Sequence, residues 1–281
     1  MHCQPKATFN CLAKLIIVML FAMLYLQNSH AAPAAELWPK WNRSNQSSVA
    51  VIDHSPWTTL LKRYLQTLGS PVVTRFDYAA VTGQDKSRLD GYVEQLQQIP
   101  VLQFNKAEQL AYWINLYNAV TVKLILDHYP VESIRDIKFG FFSFGPWNEK
   151  LVEVAGEPLS LNDIEHRILR PIWQDNRIHY AVNCASVGCP NLAAEAYSAG
   201  NTEALLHQGA KDYVNHPRGV SFDDGDLVLS SIYDWYQTDF GNSEAGVVRH
   251  LLQYADPELA ARLSGHAGDV HYRYDWALNS P

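Results

Sequence analysis

Apolar residues recur along this chain at two periods, and the switches between them mark its elements. Behind a Ser55-Pro56 start, where serine caps and proline takes the first helical position, Trp57, Leu60, Leu61, Tyr64, Leu65 and Leu68 keep helical spacing up to Gly69. A second helix over 85–98 buries Leu89, Val93 and Leu96. The third is the strongest. Asn105 and Glu108 form a capping box, and Ala107, Leu110, Ile114, Tyr117, Thr121, Leu124 and Ile125 make one stripe that stops near His128, before Tyr129-Pro130.

Downstream the segments shorten. Residues 139–147 are too rich in glycine for a helix and too apolar for a solvated loop, so they read as an aromatic loop over a core or groove. Lys150–Val154 and Pro158-Leu159 form a hairpin around Ala155-Gly156-Glu157. Ser160 and Asp163 then cap a helix through Leu169 that Pro171 stops. Ile178, Tyr180 and Val182 alternate as a strand. A helix follows over 202–214, then a hairpin over 220–229 turned by Asp224-Gly225, helices near 244–255 and 257–263, and a terminal strand around 270–276. Helices outnumber strands and no repeat or linker divides the run. The expected fold is α+β: a single domain over 55–281 of packed helices with a small antiparallel sheet.

The N-terminus changes the setting. Lys6 and Lys14 precede or flank an apolar run from Leu15 to Leu26, and Ser29-His30-Ala31 offers small residues for cleavage, so residues 1–31 read as a signal peptide. That run is short for a bilayer span of about 20 residues, and no later segment is apolar enough, so no stable membrane span is expected after cleavage. The protein is expected to be exported, periplasmic or secreted. Residues 32–54, Ala/Pro then Asn/Ser-rich, read as a flexible leader; Asn42-Arg-Ser44 within it fits a glycosylation sequon. Loss of Lys6 and Lys14 takes the net charge from −7 to −9, which argues against nucleic acid as a partner.

Candidate chemistry concentrates in Arg177–Pro190. Cys184 and Cys189 would be the only cysteines left after cleavage, accompanied by His179, Asn183 and Ser186. One reading makes Cys184 a nucleophile activated by an imidazole. Strict alternation, however, puts His179 and Asn183 on one face of the strand and Cys184 on the other, unless the strand breaks at Asn183. The other reading is a Cys184–Cys189 disulfide, the usual fate of paired cysteines in an exported chain. No spaced ligand pattern points to a metal, and no cofactor is implied. Glu165 and His166 form a second cluster, in which Glu165 either orients His179 or His166 as a third catalytic member or pairs with an arginine. Asn115 and Asn118, with Tyr117 between them, form a third on the long helix. A buried amide there must bond either a core carbonyl or a substrate. Phe142 and Trp147 of the aromatic loop would wall a cleft.

Ala111-Tyr-Trp-Ile-Asn-Leu-Tyr-Asn-Ala119, Leu159-Ser-Leu-Asn-Asp-Ile-Glu-His166 with Ile168-Leu-Arg170, and His179-Tyr-Ala-Val-Asn-Cys-Ala-Ser-Val-Gly-Cys-Pro190 together resemble bacterial members of the family named domain of unknown function 547. The resemblance covers roughly residues 105–217, and Tyr274-Asp-Trp-Ala-Leu-Asn279 looks like the family's ending. A packed helix followed by a small sheet with a His/Cys segment is similar to papain-like and transglutaminase-like thiol hydrolases, an analogy of fold alone. Unlike papain, this chain has no cysteine opening the long helix. Two functions are therefore expected. One is an exported thiol hydrolase or acyltransferase on peptide-like amide bonds, with Cys184 attacking, His179 or His166 as base, and Glu165 or Asn183 holding the imidazole. Asn115, Tyr117, Asn118, Ser186, Phe142 and Trp147 would bind its substrate. The other is a non-catalytic envelope protein that binds a peptide or glycan and carries the disulfide.

Overall fold

A computed structural model describes residues 33–140 and 145–281, and residues 33–281 cluster as one compact unit. The expected signal peptide and Phe142 lie outside the described residues. The elements run α1 (Ser55–Tyr64), β1 (Leu65–Leu68), β2 (Val73–Phe76), α2 (Gly83–Gln98), α3 (Lys106–His128), β3 (Val152–Val154) and β4 (Glu157–Leu159). A π-helical stretch, Asp163–Leu169, continues into α4 (Arg170–Trp173) and a 3-10 turn, Asn176–Tyr180. Then come α5 (Thr202–Val214), β5 (Val220–Asp223), β6 (Asp226–Ser230), α6 (Ile232–Trp235), α7 (Glu244–Leu251), α8 (Pro257–Ser264) and β7 (Val270–Arg273). This is an α+β arrangement.

Helix α3 is the axis of the larger core, buried nearly all round, with Tyr112, Trp113, Ile114, Leu116 and Ile125 closed from solvent. A helix so enclosed loses the polar flank of a surface helix. A second cluster joins α5, α7 and the sheet β5-β6-β7 through Tyr213, Tyr233, Phe240 and Val247. The 3-10 turn stitches the two together, since Ile178 belongs to the first cluster and Tyr180 to the second.

Several expectations need correction. The stripe from Trp57 leaves the helix at Tyr64. Leu65–Leu68 pairs antiparallel with Val73–Phe76, and Tyr64 gives its carbonyl to Asp77 N–H at 2.9 Å, so strand pairing overrides helical spacing. The three-stranded sheet is mixed, because β7 runs parallel to β6 with Leu227 opposite Val270. The expected strand at 178–182 is a 3-10 turn in which Ala181 and Val182 N–H return to Ile178 O at 2.9 and 3.1 Å. Alternating apolar residues there face two different cores instead of one sheet face.

Pro171 does not stop the fourth helical run; the chain stays helical to Trp173 and turns left-handed at Gln174. Proline lacks the N–H that a preceding carbonyl would use. In its place Glu36 N–H bonds His166 O at 2.9 Å and Trp38 N–H bonds Arg167 O at 3.0 Å. These bonds make the expected flexible leader a strap. Trp41 is fully buried edge-on to Trp113 at 5.1 Å, and Ile52 N–H donates to the Glu108 carboxylate at 3.3 Å. Glu108 thereby serves the strap, while Asn105 alone caps α3 through Glu108 N–H.

Candidate functional site

The two asparagines of α3 hold the loops that carry the chemistry. Asn118 donates from Nδ2 to Ala181 O at 2.9 Å and accepts Asn183 N–H on Oδ1 at 2.8 Å. Asn115 makes the same paired contact with residue 197, donating to Tyr197 O at 2.8 Å and accepting its N–H at 2.9 Å. Each amide replaces a missing strand, satisfying one backbone donor and one acceptor inside the core. Both side chains are thereby occupied with backbone rather than open to a substrate. Tyr117 is buried between them. Burial pushes its hydroxyl far up, with Glu165 and Cys184 near enough to add to the effect.

Asn183 was expected to orient an imidazole. It shapes the thiol loop instead, donating to Pro190 O at 2.7 Å and accepting Ala185 N–H at 2.8 Å, which turns Ala185 to a φ of 59°. The C-terminal segment clamps the loop from the other side. Val187 and Gly188 N–H donate to Ala277 O and Asp275 O, each at 2.8 Å, and Asn279 N–H donates to Ala185 O at 3.0 Å. Glycine is required at 188, because a Cβ there would lie 2.9 Å from the Asp275 backbone.

Within this frame the sulfurs of Cys184 and Cys189 are both free and 2.7 Å apart, with Cys184 half-buried and Cys189 buried. Ser186 Oγ and Tyr274 Oη lie 3.2 and 3.3 Å from Cys184 Sγ, and Tyr274 Oη is 3.1 Å from Cys189 Sγ. Cys184 N–H donates to Cys189 Sγ at 3.0 Å. Burial alone would raise the Cys189 thiol. The hydrogen bonds from Cys184, Tyr274 and Ser186 outweigh it and bring Cys189 down to about 6. The contact with Cys189, then burial, pushes Cys184 well up. One proton stays on the pair, and hydroxyl and amide donors hold the negative sulfur.

Among the described residues no imidazole bonds either sulfur. His179 Nε2–H donates to Asp239 Oδ2 at 2.7 Å, its Nδ1 lies 3.8 Å from Glu165 Oε1, and its ring stacks on Tyr236 at 4.1 Å. The expected Cys184–His179 pairing is therefore not formed. His166 Nδ1 accepts from Arg170 Nη1 at 3.0 Å; burial, together with Arg170, lowers its basicity. Arg170 also grips Asp239 through Nε at 2.6 Å and Nη2 at 3.1 Å, and bonds Pro33 O of the strap at 2.7 Å. Burial would raise the Asp239 carboxyl, but His179 and Arg170 hold it well below the usual carboxylate range. Glu165 faces the Tyr236 hydroxyl. The result is a closed polar knot of Glu165, His166, Arg170, His179 and Asp239 around Tyr236.

Trp147 packs edge-on to Trp276 at 5.7 Å, and Trp276 meets Tyr274 at 4.7 Å, so an aromatic row runs up to the thiols. Sequence reasoning missed Tyr236, Asp239 and Tyr274 as parts of these sites, and offered Arg170 only as a partner for Glu165. Of the three, Tyr274 carried a signal, as the first residue of the family-like ending. Among the described residues no group of His, Cys, Asp and Glu is arranged to hold a metal ion.

No curated protein and no solved structure matches this chain. Asp239 and Tyr274 lie beyond the one stretch that does match a known family. Residues 101–214, from just before α3 to the end of α5, match the family described as Protein of unknown function, DUF547.

Proposed function

We propose that this is an exported thiol protein whose reactive unit is the Cys184–Cys189 dithiol and whose chemistry is thiol–disulfide exchange. The observation that carries the reading is the direct adjacency of two unbonded sulfurs in a loop fixed on both sides, with no imidazole on either among the described residues. A hydrolase needs a base on its nucleophile, and both nitrogens of His179 face carboxylates. Exchange needs only a thiolate, an accessible attacking sulfur and a second sulfur within reach.

The steps follow from the contacts. Cys184, the more exposed sulfur, passes its proton to the Cys189 thiolate across their contact and attacks one sulfur of a substrate disulfide. That S–S bond breaks, and one substrate thiolate leaves and takes a proton from water. Cys189 then loses its proton to solvent and attacks the mixed disulfide at Cys184, releasing the second substrate thiol. The protein pair gives up two electrons and its one proton, and the substrate gains the two electrons while its two thiolates take their protons from water. Tyr274 and Ser186 hold the charge on sulfur throughout.

Equilibration of the purified mature protein in glutathione or dithiothreitol buffers, with alkylation and mass readout, tests the reading. A midpoint between about −120 and −270 mV is expected, the range of exchange proteins. A bond that stays closed below about −300 mV is a structural disulfide; that result overturns exchange and favours the non-catalytic binding protein.

A further inference from the structure

The thiol loop has a cationic flank that the dithiol chemistry does not use. Arg218 Nη1 donates to Val187 O at 3.3 Å and Nη2 to Asn191 Oδ1 at 2.5 Å, at either end of the segment containing Cys189. Its guanidinium lies over Tyr213, whose hydroxyl holds Gly188 O at 2.6 Å. Arg218 Nε is buried with no partner. His216 accepts Arg218 N–H on Nδ1 at 3.0 Å, so in the neutral ring Nε2 carries the proton as a free donor. In β2 Arg75 follows Thr74, whose N–H shares Asn191 Oδ1 with Arg218, at 2.9 Å, and Arg75 lies near enough to act on the charge of both Arg218 and His216.

Neither arginine has an ion pair among the described residues. The two arginines act on each other and keep His216 neutral instead. Burial and then Arg218 and Arg75 bring His216 down to about 4, and burial and Arg75 lower Arg218. Like charges gathered without a carboxylate, in a chain of net charge −7, leave an unmet demand for an anion. A planar guanidinium fork meets carboxylate or phosphate oxygens with two parallel hydrogen bonds. Arg218 also lies near enough to Cys189 for a thiolate there to favour its charged form.

We infer that Arg75, Arg218 and His216 form an oxyanion subsite that receives a carboxylate or phosphate group carried by the substrate whose sulfur meets Cys184. The substrate clause rests on the exchange reading; the subsite itself does not. Direct alkylation of the thiols separates the two. Rates with iodoacetate and with iodoacetamide are measured at pH 7 and low salt, and their ratio is compared between wild type, R75Q and a charge-removal control on α8, R262Q. Using the ratio removes any general change in thiol reactivity. R75Q is expected to lower it on the order of three- to tenfold, while R262Q leaves it at the wild-type value. Acetate or inorganic phosphate should slow iodoacetate on wild type more than on R75Q, and the stronger competitor names the preferred oxyanion. A ratio in R75Q equal to wild type overturns the subsite. A lowered ratio together with a midpoint below the exchange range keeps the subsite and rejects exchange.

Discussion

Replacing Asn118 with alanine strands two buried backbone groups at once, the Ala181 carbonyl and the Asn183 N–H. Asn118 is 1% exposed, so water does not replace the amide without opening the core. Each stranded group costs about 1–3 kcal/mol, and the two together cost about 2–6 kcal/mol. That is a large part of a typical folding free energy of about 5–15 kcal/mol. Asn115→Ala supplies the internal comparison. It strands the same two kinds of group at Tyr197, on a loop that does not carry the cysteines. Urea unfolding should therefore give both variants a similar loss of stability. Only Asn118→Ala should also change the alkylation rate of the thiols under native conditions, because residues 181–183 lead directly into Cys184. A loss under about 0.5 kcal/mol for Asn118→Ala at unchanged m-value would refute the clamp argument, since it would mean the stranded groups find other partners. Equal changes in thiol reactivity for both variants would refute the local coupling.

Tyr274→Phe removes the hydroxyl shared by both sulfurs, so the inflection of alkylation rate against pH should rise from about 6 towards the free-cysteine value; an unmoved inflection refutes the donor role. His179→Ala should leave that profile overlaying wild type, because the ring bonds Asp239 rather than sulfur; collapse of thiol reactivity in the variant would restore the hydrolase reading. Trp41→Ala should cost about 3–5 kcal/mol in a urea melt, as befits a fully buried ring of the strap, and a loss near zero would return residues 33–54 to a loose leader. Acid should weaken the fold between pH 6.5 and about 4. Burial holds His54 and His250 neutral down to about 4 while the unfolded imidazoles charge near about 6.5, so their stabilisation is complete above that value and lost as pH falls through the window. Roughly 2–3 kcal/mol per group is expected, read as the difference in urea midpoint between pH 7 and pH 4.5; equal midpoints contradict it.

Where an element is specified by its own residues, its pattern was legible. The capped stripe of α3, the helix over 202–214 and the Asp224-Gly225 hairpin all depend on contacts within a few positions of themselves. The cysteine segment was legible for the same reason, as a local concentration of unusual residue types. The sequence by itself thus determined the longest helices, the α+β class and which segment bears the thiols. Only the tertiary structure decided what those residues face. Periodicity assigned Leu65–Leu68 to a helix and 178–182 to a strand, and each was overruled by a distant partner, β2 in one case and Asn118 with two separate cores in the other. The pairing of His179 was equally out of reach, since its partner Asp239 is 60 positions away in a segment without any motif. Tyr274, 90 positions from Cys184, reaches the sulfurs only because the C-terminal segment docks on the thiol loop. Local patterning fixes a backbone through hydrogen bonds a few residues apart, whereas the protonation and partner of a buried side chain depend on whichever segments the packed core brings against it.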